Sequence, residues 1–375
     1  MLAATALNFN HCPWPSVNKG LIPMSSATDN NQSGLNALSI KGGKTSLNAV
    51  EQIAAEYFGI AGKASTLSSE RDETFLIETA DSTKYVLKIA NPAERMDVQH
   101  FQTQGLLHLA GKDIPLPLPR VVPASDGGAL LALPFDGEPR IVRMLTFLDG
   151  LQLHKALRSS GQMQALGTAL ALLGQGLADF RPHVPPQNLL WDICNAGTLR
   201  SLVSHVDAAH QPLVLSALDG FEELADGAMA TLPGQVIHND FNPHNILVAP
   251  ANAALVTGVI DFGDMVEAPL VNDVAVALSY QIGADNGIED AITMLGAYDA
   301  VRPLDRLELD CLPTLLRTRL AMTVIITEWR ATLHRENRDY ILRNHPVALA
   351  GLRRLADDSD AALGAFFRQK IGDFK

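Results

Sequence analysis

GQVIHNDFNPHNILV, residues 234–248, sets the apolar pieces QVI and ILV on either side of a polar loop that carries His238, Asp240 and Asn245. Each apolar piece has the length and β-branched content of a short strand, and the Asn, Asp and Pro between them favour a turn. A second delivery of the same kind follows at once: TGVIDFGDMVEAP (257–269) reads as an apolar strand ending on Asp261, with Asp264 and Glu267 just beyond. Two strands that end on polar residues bring those residues to one place. Phosphoryl transfer asks for such a set: a carboxylate that orients and deprotonates an attacking hydroxyl, and oxygen ligands for Mg2+. Asp240 suits the first task, and Asn245 and Asp261 the second.

Outward toward the N-terminus the chain reads as a small sheet-rich lobe. SLNAVEQIAAEYFGI (46–60) has apolar residues at helical spacing, with Ser46 as N-cap and Gly59 as stop. ETFLIETA (73–80) and KYVLKIA (84–90), separated by DST, predict a hairpin. AERMDVQHFQTQGLLHLAG (93–111) predicts a helix, and IPLPLPRVV (114–122), GALLALPF (128–135) and RIVRMLTFL (140–148) predict further strands. Residues 1–45 are rich in Asn, Ser, Gly and Pro and read as a flexible extension. Within it KGGKTS resembles the end of a P-loop, but Leu38 stands where the motif needs its first Gly, so it is set aside. Past residue 149 the segments 162–180, 207–231, 271–283, 288–301 and 304–334 carry apolar periodicity, which predicts a mainly helical second lobe.

Composition excludes other classes. The 375 residues carry a formal charge of -12, which disfavours nucleic acid or an anionic membrane as partner. Three distant cysteines make neither a disulfide framework nor a zinc knuckle, and no run approaches a membrane span, so a cytoplasmic protein is expected. His238 and His244 have a short spacing that suits zinc, but a third well-spaced ligand is missing from that loop.

The motifs together carry a resemblance. HNDFNPHN followed by IDFGD resembles the HGDxxxxN and DxGD-type loops of the aminoglycoside phosphotransferase and choline kinase superfamily. SERDETFLI, YVLKIAN, FNPHNILV and GVIDFGDM, in that order, look most like its hydroxylysine kinase branch. The resemblance spans roughly residues 46 to 370 and implies an α+β, bilobal protein-kinase-like fold. That fold has an antiparallel-sheet N-lobe with an inserted helix (46–148) and a larger, mainly helical C-lobe (149–375). It implies Asp240 as catalytic base, Asn245 and Asp261 as Mg2+ ligands, and Lys88 on the α- and β-phosphates of ATP or GTP. The loop holding Ser68 and Ser69 would cover the nucleotide, and the stretch with Met144 and Thr146 would meet the purine. His238 would brace the loop. The acceptor would be an amino alcohol or hydroxylated amino acid, held near Asp264 and Glu267, or near Trp191 and Asp192 in NLLWDICNAG, where an aromatic face meets a cation. Homoserine, choline-like alcohols and aminoglycosides are alternative acceptors, and a nucleotide-binding pseudokinase is the alternative from another class.

Two departures from the pattern are legible. Asn239 stands where the superfamily has Gly, and Asn tolerates left-handed backbone. Gln102 stands where the Glu partner of Lys88 is expected, with Asp97 and Glu94 one and two turns earlier; an amide orients a lysine without neutralising it.

Overall fold

A computed structural model describes residues 5–6, 45–69, 71–183, 185 and 189–374. The sequence reading of residues 1–45 as an extension therefore falls, apart from Thr5, Ala6 and Thr45, outside the described residues. Contacts divide the described chain into two compact units. The first lies within Met1–Ala110, Pro119–Phe147 and Pro182–Asn188, the second within Gly111–Leu118, Leu148–Arg181 and Leu189–Lys375.

The first unit is an antiparallel sheet with two helices. In chain order its elements are β1 (Thr5–Ala6), α1 (Leu47–Phe58), β2 (Gly62–Leu67), β3 (Glu73–Thr79), β4 (Lys84–Ile89), α2 (Met96–Ala110), β5 (Val121–Val122), β6 (Leu131–Phe135) and β7 (Glu138–Thr146). The strands run β1-β6-β7-β4-β3-β2, with β5 also paired to β7. Helix α1 begins and ends where its caps predict. The Ser46 hydroxyl accepts from Ala49 N–H, and Gly59 takes φ 67, a left-handed stop open to glycine. Its buried face, Val50, Ala54 and Phe58, covers Phe75, Ile77, Leu87, Ile89, Val142 and Met144 on the alternate positions of β3, β4 and β7. One expected strand is cut short: of IPLPLPRVV only Val121–Val122 pairs. Pro115, Pro117 and Pro119 have no N–H to give a ladder.

The second unit is mainly helical. It holds β8 (Leu151–Gln152), α3 (Ser160–Leu177), a long 3-10 segment (Ile193–His205), α4 (Gln211–Asp226), β9 (Gly234–Ile237), β10 (Ile246–Ala249), β11 (Asn252–Val259) and β12 (Val266–Pro269). Helices α5 (Val271–Ile282), α6 (Gly287–Val301), α7 (Arg306–Leu333), α8 (Arg338–Ile341), α9 (His345–Leu355) and α10 (Asp360–Phe374) complete it. Five of these answer the predicted periodic segments, and α8, α9 and α10 lie beyond them. Helix α7 is the centre, buried along most of its 28 residues. A capping box starts it: Glu308 N–H donates to Asp305 Oδ1 at 2.8 Å, and Asp305 N–H to Glu308 Oε2 at 2.9 Å.

The two strand-like pieces of GQVIHNDFNPHNILV do form strands, but they belong to different sheets. β9 pairs with β12, whereas β10 lies between β11 and β8. The loop 238–245 thus leaves one ribbon and enters another, with its ends held by independent hydrogen-bond ladders.

Candidate active site

In the second unit the loop is built around His238. Its ring is fully buried and burial pushes its pKa down, so it stays neutral. Asp240 N–H donates to Nδ1 at 3.2 Å, which leaves the proton on Nε2, and Nε2 donates to Ile260 O at 3.2 Å. Both nitrogens are used inside the protein, so His238 ties the loop to the strand that leads to Asp261 and holds no metal. Asp273, near the start of α5, accepts from His238 N–H at 3.0 Å and Asn239 N–H at 2.6 Å. The same loop carries Asn239 at φ 63, the left-handed region that its residue type tolerates.

The Asn239 side chain pays for that position. It is fully buried, and neither Oδ1 nor Nδ2 has a hydrogen-bond partner among the described residues. A buried unsatisfied polar group costs about 1–3 kcal/mol, against roughly 0.5–1 kcal/mol of backbone entropy for a glycine. Asn239→Gly is therefore expected to raise stability by about 1 kcal/mol in denaturant titration while keeping the loop's backbone geometry. A loss of stability would show that the amide is satisfied by a buried water.

Asp240 sits in a cup of amides. Asn242 Nδ2 donates to Oδ1 and Asn245 Nδ2 to Oδ2, each at 2.7 Å. The carboxyl is pushed up to about 8 by burial first and then by the negative field of Asp264, against the pull of the Arg319 guanidinium and the Asn242 amide. Raised proton affinity makes the ionised carboxylate a stronger proton acceptor, with the ionised fraction growing as pH rises toward 8, and 23% of the side chain's surface is still exposed to a reactant. Because Asn245 spends its Nδ2 on Asp240, the amide is oriented with Oδ1 free of protein donors among the described residues. Asp261, exposed at φ 63, accepts from Gly263 N–H at 3.3 Å. Amide and carboxylate oxygens are the kind of donor that a hard cation such as Mg2+ prefers. Asp264 is buried in the turn Phe262–Asp264. Glu267 instead points out from β12, opposite Val236, and makes no hydrogen bond or ion pair among the described residues.

Arg319, on α7, is the residue that motif reading missed. It is 1% exposed, and its Nη2 lies 3.9 Å from Asp240 Oδ1. Nη1 donates to Trp191 O, and the guanidinium lies 5.1 Å from the centre of the Trp191 ring. The aromatic face does meet a cation, but that cation is the protein's own. Asp192 is buried, caps the 3-10 segment through Cys194 N–H at 2.9 Å, and is raised by burial with Arg319 pulling against it. Only the total of opposite charges around it could have pointed to Arg319, because it lies far from every motif along the chain.

Beside the loop is a cavity of about 120 Å³ lined by His154, Pro243, His244, Ser279, Tyr280, Leu320, Thr323, Asn344, Val347 and Ala348. Its polar groups are hydroxyls, an amide, a phenol and imidazoles, and no carboxylate lines it. His244 stacks on His154 at 4.2 Å between ring centres, and burial with its cationic neighbours lowers its pKa to about 4.

In the first unit Lys88 is on β4, a strand paired on both sides by β3 and β7. Its side chain is 12% exposed, and Nζ lies 3.5 Å from Asp72 Oδ2. Asp72 comes from the loop before β3 and also accepts from Asn91 N–H at 3.2 Å. Arg143, directly across from Lys88 on β7, donates from Nη2 to Gln102 Oε1 at 3.0 Å. The carboxylate beside Lys88 is thus loop-borne, while the α2 amide orients Arg143. Ser68 and Ser69 are exposed just after β2. Met144 faces the core, and Thr146 N–H donates to Arg120 O at 2.9 Å.

Comparison with known proteins places the whole chain rather than single residues. Residues 63–309 match the model of a phosphotransferase enzyme family. The hydroxylysine kinase of Mus musculus is 24% identical over 326 residues, covering 80% of this chain and 86% of that protein. The homoserine kinase of Paramagnetospirillum magneticum is 28% identical over 306 residues, covering 80% and 90%. Among solved structures, the amicoumacin kinase hAmiN in complex with AMP-PNP, Ca2+ and Ami superposes with a TM-score of 0.62 at 16% identity, covering 83% of this chain and 97% of that one. The α+β architecture is the protein-kinase-like fold.

Proposed function

The chain belongs to the phosphotransferase enzyme family, and on that premise we propose that it transfers the γ-phosphate of ATP or GTP to a hydroxyl of a small amino alcohol or hydroxylated amino acid, with hydroxylysine the leading acceptor. The protein is a small-molecule kinase of this family, which acts on hydroxyl groups. The observation that carries the reading is the Asp240 carboxylate held on both oxygens by amides, one of which turns its own oxygen outward.

In this mechanism the acceptor oxygen attacks the γ-phosphorus, the bond to the bridging oxygen of the nucleoside diphosphate breaks, and the hydroxyl proton passes to Asp240. Asn245 and Asp261 would hold Mg2+, which neutralises phosphate charge when bound. Lys88, steadied by Asp72, would bind the α- and β-phosphates, with Ser68 and Ser69 on the covering loop and the Met144–Thr146 stretch near the purine. Arg319 is a positioning residue: it counters the negative field that Asp264 puts on Asp240.

The cavity beside His244 supports a small acceptor. Its volume is well under the roughly 300–1,000 Å³ of drug-sized sites, and its lining has hydrogen-bonding groups without the carboxylates that a polycation needs. That favours hydroxylysine, homoserine or an amino alcohol over an aminoglycoside, with Asp264 a candidate partner for an ammonium group. The test is nucleoside diphosphate release with Mg2+ and ATP or GTP across 5-hydroxylysine, homoserine, ethanolamine, choline and an aminoglycoside. Turnover on hydroxylysine is expected. Turnover on the aminoglycoside alone would overturn the small-acceptor reading, and nucleotide binding with turnover on none would favour the pseudokinase.

A further inference from the structure

His210, Glu328 and His345 come from three separate elements. His210 stands immediately before α4, Glu328 lies toward the end of α7, and His345 opens α9. Their ligating atoms nevertheless lie within 4.8 Å of one another. His210 Nδ1 is 3.1 Å and His345 Nε2 is 2.7 Å from the same oxygen, Glu328 Oε1. The second carboxylate oxygen, Oε2, accepts from Asp207 N–H at 2.7 Å, which fixes the orientation of the group. All three side chains are mostly buried, at 15–17% exposure.

We propose that His210, Glu328 and His345 form a binding site for a zinc-type divalent cation, separate from the catalytic loop. Two imidazoles and one carboxylate are the donors of open, three-ligand zinc sites, with water in the fourth position. Zinc–nitrogen bonds of about 2.0–2.1 Å in tetrahedral geometry put neighbouring ligand atoms about 3.3 Å apart. The observed 2.7 and 3.1 Å need a small opening to reach that spacing, and the two ring nitrogens, which lie within 4.8 Å of each other, settle at the same value. The rings can make the change. His210 Nε2 and His345 Nδ1 have no hydrogen-bond partner among the described residues, so each ring can keep its proton there and present a lone pair inward. The Asp207 N–H bond to Glu328 is the kind of outer contact that holds a ligating carboxylate in place.

Donor chemistry separates this site from the Asn245 and Asp261 oxygens, since imidazole favours zinc and its neighbours while carboxylate and amide oxygens favour Mg2+. The cluster joins the turn before α4 to α7 and α9. Asn344, the neighbour of His345, lines the cavity beside the loop together with His244. A cation here would fasten one wall of that cavity. The binding itself does not depend on which acceptor the kinase uses.

The experiment is a Co2+ titration of the tag-free, full-length protein after chelator treatment, with excess Mg2+ present to fill oxygen sites. Tetrahedral Co2+ on His and Glu absorbs strongly in the visible, whereas octahedral Co2+ on oxygens absorbs weakly. The expected result is a strong band that saturates at one Co2+ per chain and is displaced by Zn2+. In Glu328→Gln and in His345→Ala the affinity falls by at least about 100-fold, since loss of even an outer contact costs 10–100-fold. Glu328→Gln keeps the shape of the side chain and serves if His345→Ala does not fold. No strong band in the wild type, or an unchanged band in a folded variant, overturns the proposal.

Discussion

Replacing Asp240 with Asn is expected to lower kcat by about 10²–10⁴-fold, the range that a positioned proton acceptor contributes, with little change in KM for the nucleotide. The groups that hold the carboxylate cannot take over its task, and Asp264, the nearest strong negative field, is buried in its own turn. Asn242 and Asn245 are amides already committed to holding it, and Asp261 sits across the 3-10 turn with its own contact to Gly263. In Asp240→Asn one carboxylate oxygen becomes a donor facing another donor, so Asp240→Ala is the necessary companion. If the proton transfer is what matters, both variants fall to the same floor. Steady-state kinetics with kcat and KM separated, on protein shown to melt cooperatively, decides the matter. A variant that keeps wild-type kcat would remove Asp240 from the chemistry.

Arg319→Met is expected to cost about 3–5 kcal/mol of stability at pH 8, the usual cost of stripping the partner from buried charges. The guanidinium is 1% exposed and acts against the raised carboxyls of Asp240, Asp192 and Asp273. Asp273 gives the effect its pH dependence. Burial pushes it up from 3.8 to about 6, while the Asn239 and His238 amides and then Arg319 pull it down. Its folded pKa is therefore above the unfolded one. The stability linked to it is complete below about pH 4 and is lost as pH rises through 6. Removing Arg319 raises the cost of ionising Asp273 and Asp240 further, so the deficit of the variant should be small at pH 5 and much larger at pH 8, where Asp273 is ionised and Asp240 is passing through its own pKa. Urea unfolding at the two pH values measures it, and an equal deficit at both would show that Arg319 contributes through packing on Trp191 and not through charge.

The same pair of residues explains why parts of the site were legible in the chain and parts were not. Asp240, Asn245 and Asp261 stand in short segments whose strand and turn signals are local, so their convergence could be read from neighbours a few positions away. Lys88 was legible for the same reason, as part of a hairpin with its own alternation. Its carboxylate was not: the helical spacing of 94–111 pointed to α2, whereas Asp72 reaches Lys88 from the loop before β3. That α2 amide, Gln102, serves Arg143, which only the cross-strand register of β4 and β7 brings alongside.

Local chemistry in the amino-acid sequence was enough for the helix α1 between Ser46 and Gly59, the β3–β4 hairpin, the loop 238–245 with its left-handed Asn239, and the family to which the chain belongs. Each depends on backbone preferences and hydrogen bonds over a few residues. Which strands share a sheet, where Arg319 lies, and that His210, Glu328 and His345 meet all depend on the packing of α4, α7 and α9 and of β8 to β12. Burial of apolar faces selects that packing without regard to distance along the chain, and the polar side chains it carries inward meet as its consequence.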